Sequence, residues 1–497
     1  MKPFYITTPI YYVNGRPHIG HAYTTFAADA LARYARQRGR ETLFLTGTDE
    51  NSQKNVEAAK KEGEPDVQKF VDRMSAVWAE TWDSLGVSND VFLRTTSEAH
   101  KRAVAEFVTR VFDAGDIYRG QYQGLYCVGC EAFVKEADLV AGECPIHKTA
   151  PKPVEEENYF FRLAKYRDRL LDHIASHPDF IQPEARRNEI VRYITDAMED
   201  ISITRESISW GIRLPQDPEQ AIYVWFDALV NYLTGAGFPD DREKFARFWP
   251  ASIHLVGKDI IKFHCALWPA MLLSAGLPLP ERVFAHGYFT VNGEKMSKSV
   301  GNVIDPVETA GEWGVDVLRY FLLREIPFGE DGDFSLERLR ERYNGDLSNG
   351  LGNYTARVLA MAEKYFDGRA PAPAPSQIAD LWAAYADAFE NLAFDQALAL
   401  VMKKLTELDR FIDAEEPWVL AKTDRERLAK TVYVLLESLR HVALMLYPIM
   451  PETAEKILAS LGVLRIEKTA PFSERLNWGG LPEGCKIKRG AILFPRK

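Results

Sequence analysis

The chain has 497 residues, 46% of them apolar and 27% charged, with a formal net charge of −10. That length exceeds one ordinary hydrophobic core and predicts two to four domains, and the apolar share excludes wholesale disorder. The acidic balance excludes a protein that coats nucleic acid nonspecifically, while leaving room for a structured RNA held by a local basic strip.

No cationic stretch followed by an apolar one opens the sequence, so no signal peptide is read. A cytoplasmic protein is expected, with an organellar form that has lost its leader as the alternative. Tyr5–Thr8 predicts a strand, Ala22–Arg38 a helix, and Glu41–Thr46 a second short strand running into Gly47-Thr48-Asp49. This alternation predicts a parallel, doubly wound sheet whose ligands sit beyond the carboxyl ends of its strands. Between strand and helix lies Pro17-His18-Ile19-Gly20-His21. Imidazoles three residues apart share a helix face, and at a helix N-terminus they add donors to a positive dipole end suited to phosphate oxygens. Gly20 omits a Cβ where a base or ribose could approach. The plainer alternative is a helix start with two incidental histidines.

From Asp116 to Leu214 the texture changes and reads as an inserted domain. A Tyr-, Gly- and Cys-rich patch, Tyr118–His147, precedes Pro-rich and acidic residues over Lys152–Glu157 and then a helical stretch. Cys127-x-x-Cys130 and Cys144-x-x-His147 supply four soft or borderline ligands in tetrahedral reach, which predicts one structural zinc rather than four metal-free buried residues. Three clustered cysteines of five point to metal in a reducing compartment, not to disulfides. Cys265 and Cys485 read as small apolar residues.

The α/β pattern resumes at Ile222–Trp225, read as a strand, with Ile253–Gly257 as the next. A hairpin over Tyr288–Val291, turned by Asn292-Gly293, leads into Lys295-Met296-Ser297-Lys298-Ser299. Two lysines on a Gly-flanked loop can close over a polyphosphate and neutralise charge as pyrophosphate leaves. Taken alone, such a loop is a solvated turn.

After about Ser335 strands vanish. Leu347, Leu351, Tyr354, Val358, Met361 and Tyr365 mark an amphipathic helix, and Gly368–Pro375 a stiff connector. Two or three further helices fill Ile378–Leu461. Val432–Met450 is interrupted by Glu437, Arg440 and His441, so it reads as a buried bundle helix and not a membrane span. The tail, Cys485–Lys497, carries five cations and no acid and reads as a closing strand or arm.

The His18 and Lys295 strings, in this order on an α/β framework, resemble the HIGH and KMSKS signatures of class I aminoacyl-tRNA synthetases. The resemblance runs from Tyr5 to about Lys422. It implies a Rossmann-type catalytic domain, in-line attack of an amino-acid carboxylate on the α-phosphate of ATP, and transfer to the terminal ribose of tRNA. His18, His21, Lys295 and Lys298 would stabilise the transition state. In detail the sequence is similar to the methionyl-tRNA synthetases. Pro9-Ile10-Tyr11-Tyr12, Gly47-Thr48-Asp49-Glu50, Tyr223–Ala228 and Phe263–Pro269 match that family's pocket segments. The match implies a methionine site of Pro9, Ile10, Tyr12, Asp49, Trp225, Ala228, Phe263, His264 and Trp268, with Asp49 on the ammonium. A thioether is soft and weakly accepting, so aromatic walls and one donor, Tyr12 or His264, suit it; the alternative is that these rings are core residues at strand ends. ATP would meet His18, Gly20, His21, Gly257, Asp259 and Lys298, with Arg205 as a charge partner of Asp259.

The resemblance also implies a zinc knuckle with a single metal, since one ligand set exists, and an anticodon grip of Asn353, Arg357, Pro417 and Trp418. A core tryptophan beside a surface Asn/Arg pair is the alternative there. The expected substrates are methionine, ATP with Mg²⁺ and tRNA(Met), in initiation and elongation, with no membrane partner. The expected divisions are a split Rossmann domain at 1–115 and 215–287, the zinc-knuckle insertion at 116–214, a KMSKS-loop and stem-contact region at 288–345, and the helical bundle with its arm at 346–497. No further tRNA-binding and dimerisation domain follows the bundle in this sequence, so a monomer is expected.

Three rivals remain. Synthetases for leucine, isoleucine or valine carry a larger editing insertion than the roughly hundred residues available here; a cysteinyl enzyme would place a thiolate near Pro9–Tyr12. A small nucleotidyltransferase would lack the bundle. A non-catalytic RNA-binding protein would have no use for the two histidines and two lysines.

Overall fold

A computed structural model describes the chain except residues 128–131, 135, 137–138, 146–147, 207–208, 292, 296–301, 376–380 and 464–475, and the side chains of 122, 123, 132, 133, 294 and 295. Its central sheet has seven strands: β1 (Phe4–Thr7), β2 (Tyr11–Tyr12), β3 (Thr42–Asp49), β4 (Val91–Arg94), β5 (Ile181–Gln182), β6 (Ile253–Gly257) and β7 (Val283–His286). β1 is paired with β3 on one side and β6 on the other. Beyond β6 come β7 and β5, while β2 and β4 both pair with β3. Every one of these pairings is parallel, so both faces need covering, and β1 and β6 are buried along their whole length. The winding reverses at β1, which opens a crevice beyond the carboxyl ends of β1 and β6.

Helix α1 (Ile19–Gln37) starts three residues before the apolar periodicity suggests, because His18 itself is the N-cap. Helix α2 (Val67–Ser84), capped by Asp66, buries Phe70, Val71, Met74, Trp78 and Trp82. The inserted region carries a four-stranded antiparallel sheet, in order Ala132–Val134, Ile117–Cys127, Lys152–Phe161 and Ile201–Ser202. Ile181–Gln182, inside the stretch read as an insertion, belongs instead to the parallel sheet as β5.

One expected strand is absent. Asp217–Ile222 closes a small antiparallel sheet, and from Val224 the chain is helical (Val224–Ala228, then Asn231–Gly235). The apolar run over Ile222–Trp225 therefore spans a strand end and a helix start, a case in which local hydrophobicity cannot separate the two.

Strands give way to helices after Phe334. A π-helical stretch, Tyr343–Gly352, runs directly into α3 (Asn353–Phe366), whose apolar stripe is buried. Beyond the connector stand five described helices where two or three are expected: Leu381–Glu390, α4 (Phe394–Glu415), α5 (Pro417–Thr423), α6 (Arg425–Leu446) and Pro451–Ser460. The extra breaks have local causes: Leu392 and Glu416 at positive φ, Pro417 and Pro451 at helix starts, and Asp424 as an N-cap. α6 is almost wholly buried, and no described helix is long and apolar enough to cross a membrane.

The tail makes one bridge to the connector, Arg369 with Lys486, and otherwise runs as an arm. It reaches back to the region after the lysine-bearing hairpin, where Tyr343 donates to the Pro495 carbonyl at 2.7 Å and Lys497 lies over the Trp313 ring. Cys265 is fully buried, which pushes its thiol pKa up, and half-buried Cys485 donates to the Leu461 carbonyl.

Candidate active site

The crevice beyond β1 and β6 is a cleft of about 450 Å³, within the range of small-molecule sites. His18 and His21 line it, their ring centroids 3.7 Å apart. They cap α1 reciprocally: the Gly20 amide donates to His18 Nδ1 at 3.1 Å, and the His18 amide donates to His21 Nδ1 at 3.2 Å. An amide can only donate, so each Nδ1 accepts, and each neutral ring carries its proton on Nε2. Two N–H donors thus stand at the positive end of a helix, an arrangement suited to the oxygens of a phosphoryl group. The Ile19 amide donates to the Ile304 carbonyl, which ties this helix start to the chain that leaves the lysine-bearing loop.

The hairpin opposite is held by two aspartates of the strand region Asp331–Asp333. Asp331 accepts from the Tyr288 amide (2.8 Å) and Lys258 (2.5 Å), and Asp333 accepts from the Thr290 hydroxyl (2.6 Å) and the Gly293 amide (2.8 Å). The turn at Gly293 has φ 77° and returns the chain so that Lys295 pairs with Thr290. Lys295 is described in its backbone only; Asn292 and Lys298 lie outside the described residues.

Asp49, at the carboxyl end of β3, lines the cleft and is almost fully buried. The loop after it is pinned from several directions. The Asn51 amide donates to Asp49 Oδ1 (3.3 Å), and the Asn51 side chain donates to Asp227 (3.1 Å). Glu50 is gripped in two places by Arg94, at 2.7 and 3.0 Å. On the other side, Gly257 leaves room that a Cβ would take from Asp259, whose Oδ1 would lie 2.9 Å away. Asp259 does not meet Arg205. That guanidinium pairs with Glu156 at 2.9 Å within the inserted region and lies over the Tyr126 ring.

Pro9, Ile10, Tyr12, Trp225, Ala228 and His264 all border the cleft. Phe263 stacks flat on Trp225, with centroids 3.9 Å apart and 4° between the planes, and so buttresses that wall. Trp268 is fully buried behind it, packed against Phe107, Tyr232 and Trp249; it supports the wall instead of forming it. His264 is not a spare donor. Its Nδ1 lies 3.0 Å from the Ile260 carbonyl, so it donates there, and its Nε2 accepts from the Tyr232 hydroxyl at 2.7 Å. Burial pushes its pKa down to about 4, which keeps the ring neutral.

Tyr232 lines the cleft and is absent from the sequence-based site. Trp225, Ala228 and Tyr232 are spaced three and four apart, a helical spacing hidden by the reading of Ile222–Trp225 as a strand. Tyr11, Trp78 and Tyr288 also border the cleft.

Of the four expected zinc ligands, Cys127 ends the strand Ile117–Cys127 and Cys144 opens a turn closed by bonds to Lys148 and Thr149. Both thiols are 1% exposed, a soft pair out of solvent, which fits the donor chemistry of zinc. Cys130 and His147 lie outside the described residues, and no group of three or more metal-type ligands occurs among the described ones. In the bundle, Trp418 and Val419 are exposed at 46% and 41%, on α5 next to buried Pro417. Arg357 on α3 is held to α4 by Asp409 (2.7 Å) and Asp413 (3.1 Å), with exposed Asn353 one turn earlier.

Residues 4–152 and 137–359 match the family model of class I tRNA synthetases (M), and residues 375–477 match the anticodon-binding domain of tRNA ligases. The methionine–tRNA ligase of Caldanaerobacter subterraneus subsp. tengcongensis is 46% identical over 100% of this chain and 79% of its own length. That of Streptomyces coelicolor is 43% identical, over 100% and 97%. Among solved structures, a Mycobacterium tuberculosis methionyl-tRNA synthetase in complex with methionyl-adenylate superposes with a TM-score of 0.94 at 44% identity, over the whole of both chains.

Proposed function

The chain belongs to the methionine class I tRNA synthetases, and from that premise we propose how its cleft carries out their reaction. It is a methionine–tRNA ligase that uses ATP and tRNA(Met). In the first step a methionine carboxylate oxygen attacks the α-phosphorus of ATP (bound with Mg²⁺), the bond to the bridging oxygen breaks, and pyrophosphate leaves. In the second, a hydroxyl of the terminal adenosine attacks the carbonyl carbon and AMP leaves.

Charge builds on the phosphoryl oxygens in the first step. The two Nε2–H donors of His18 and His21 are aimed by their own cap before the reaction begins, so stabilising that charge requires no reorganisation. This reciprocal cap at the cleft is the observation that carries the assignment. Lys295 and Lys298 would neutralise the departing pyrophosphate. Asp49 would hold the substrate ammonium, and Pro9, Ile10, Tyr12, Trp225, Ala228 and His264 would enclose the side chain, with Phe263 and Trp268 behind. Gly20, Gly257 and Asp259 would lie along the adenosine.

Cys127, Cys130, Cys144 and His147 would hold one zinc, which cross-links the inserted region and takes no part in the chemistry. Asn353, Arg357, Pro417 and Trp418 would read the anticodon of initiator and elongator tRNA alike. The monomer and the domain division expected from the sequence are kept as proposals, with β5 returning to the catalytic layer.

ATP–pyrophosphate exchange measured across the amino acids tests the reading. Methionine should be the best substrate, and His18→Ala should lower its exchange by about 10²–10³-fold while methionine binding without ATP persists. Faster exchange with leucine or cysteine, or near-normal exchange in the variant, overturns it.

A further inference from the structure

His21 donates its cap to the proposed chemistry, yet α1 alone does not fix its ring. The imidazole stands in a corner made by two larger rings, Tyr11 at 5.1 Å and 66° and Trp78 at 4.9 Å and 65°. Those two stack on each other at 5.0 Å and 18°. Steep contacts of this kind are favoured aromatic geometries, and two together leave the ring little angular freedom.

Hydrogen bonds lock the corner to the chain on both sides of His21. The Thr25 hydroxyl donates to the His21 carbonyl at 2.9 Å, so at 2.9 Å from Tyr11 its oxygen accepts from the phenol. Burial pushes the Tyr11 pKa up to about 12, so that proton stays in place. Trp78 Nε1–H donates to the Gly15 carbonyl at 2.9 Å, in the loop that delivers His18 to the head of α1. Trp78 is 1% exposed and sits on α2, far along the chain from both. One residue thus orients the His21 ring directly, orients it again through Tyr11, and holds the incoming loop.

We infer that Trp78, acting with Tyr11, is a positioning residue for the adenylation step, setting the direction in which His21 Nε2–H meets the reacting phosphoryl group. The inference rests on the proposed role of His21. A catalytic group displaced by ~1 Å loses on the order of 10²-fold in rate. Methionine binding should be affected far less, because of its proposed walls only Pro9, Ile10 and Tyr12 adjoin Tyr11, while Trp225, Ala228 and His264 stand on other segments.

The test is a double-mutant cycle read by single-turnover formation of methionyl-adenylate, with methionine affinity measured separately by equilibrium dialysis. Trp78→Leu should slow adenylation by about 10–100-fold and leave methionine affinity within about twofold. In the His21→Ala background the same change should cost far less, since no imidazole is left to aim and only the bond to the Gly15 loop is lost. Tyr11→Phe keeps the ring and removes only the hydroxyl, with its link to Thr25. It should slow adenylation severalfold, again only when His21 is present, and it decides the question if Trp78→Leu does not fold. Equal losses in both backgrounds would make Trp78 and Tyr11 ordinary core residues and overturn the inference alone. A His21→Ala enzyme of normal rate would overturn the site reading and the inference together.

Discussion

The two regions of this molecule proposed to meet substrates are built on opposite principles. Around the cleft, groups proposed to touch the substrates are held from behind: His18 and His21 by each other, His21 again by Tyr11, and His264 by Tyr232 and Ile260. At the far end of the bundle, Trp418 and Val419 stand in solvent on the short helix α5, and only Arg357 is tied down, by Asp409 and Asp413. A charge that develops over a fraction of an ångström needs donors fixed in advance. A base splayed from an RNA loop needs a face on which to stack, and stacking tolerates adjustment.

The sharpest way to break that contrast is at the joint between the two regions. Arg319 is completely buried, donates to Asp29 of α1 at 2.6 Å and to the Ile449 carbonyl at 2.7 Å, and lies over Phe26. Burial pushes the Asp29 pKa up, but Arg33 and Arg319 beside it hold the carboxyl well below its usual range. Arg319→Ala leaves a buried carboxylate with one cation in place of two and strands the carbonyls at the end of α6. Losing one partner of a buried pair costs about 3–5 kcal/mol. Urea unfolding should show a loss near the lower figure, because Arg33 remains, and the bundle should melt separately from the catalytic layer. A single transition at the wild-type midpoint would mean that the two regions are not coupled there.

The next effect separates the two ends by function. Trp418→Ala removes an exposed ring while touching nothing in the cleft. Stacking of a base on an aromatic ring contributes ~1–3 kcal/mol, so KM for tRNA should rise by about tenfold. ATP–pyrophosphate exchange, which needs no tRNA, should stay unchanged. A loss of exchange, or an unaltered KM for tRNA, would remove Trp418 from the anticodon site.

How much of this was legible in the sequence depends on the range over which each feature is determined. β1, α1 and β3 follow from local periodicity, and so does the place of His18 and His21 at a helix N-terminus, though not their reciprocal cap. The reading of Ile222–Trp225 as a strand fails because one apolar run crosses from an antiparallel strand end into a helix, and that hides the helical spacing of Tyr232. The partner of Arg205 could not be read at all: Glu156 lies 49 residues away and becomes a neighbour only when two antiparallel sheets meet. The same holds for Trp78 and Gly15, 63 residues apart. Periodicity records which face of an element is buried and says nothing about which distant group the burial brings into contact.

The smallest expected effect refines the cleft side of the contrast, by asking whether its walls recognise the substrate or merely fill space. Homocysteine lacks only the S-methyl group of methionine, and an apolar site separates two such ligands by about 1–3 kcal/mol. Trp225 borders the cleft, flat against Phe263, so the wall that would meet a methyl group is two rings thick. The Tyr232 hydroxyl gives its proton to His264, so its oxygen offers only lone pairs to the cleft, and a thiol could donate to them where a thioether cannot. Discrimination against homocysteine must then come from filling the methyl site and not from a polar contact. Trp225→Ala should therefore cost methionine more than homocysteine and reduce the ratio of their kcat/KM values severalfold. Asp49→Ala should lower both about equally, since the two substrates carry the same ammonium. A ratio left unchanged by Trp225→Ala would place the methyl group against some other wall.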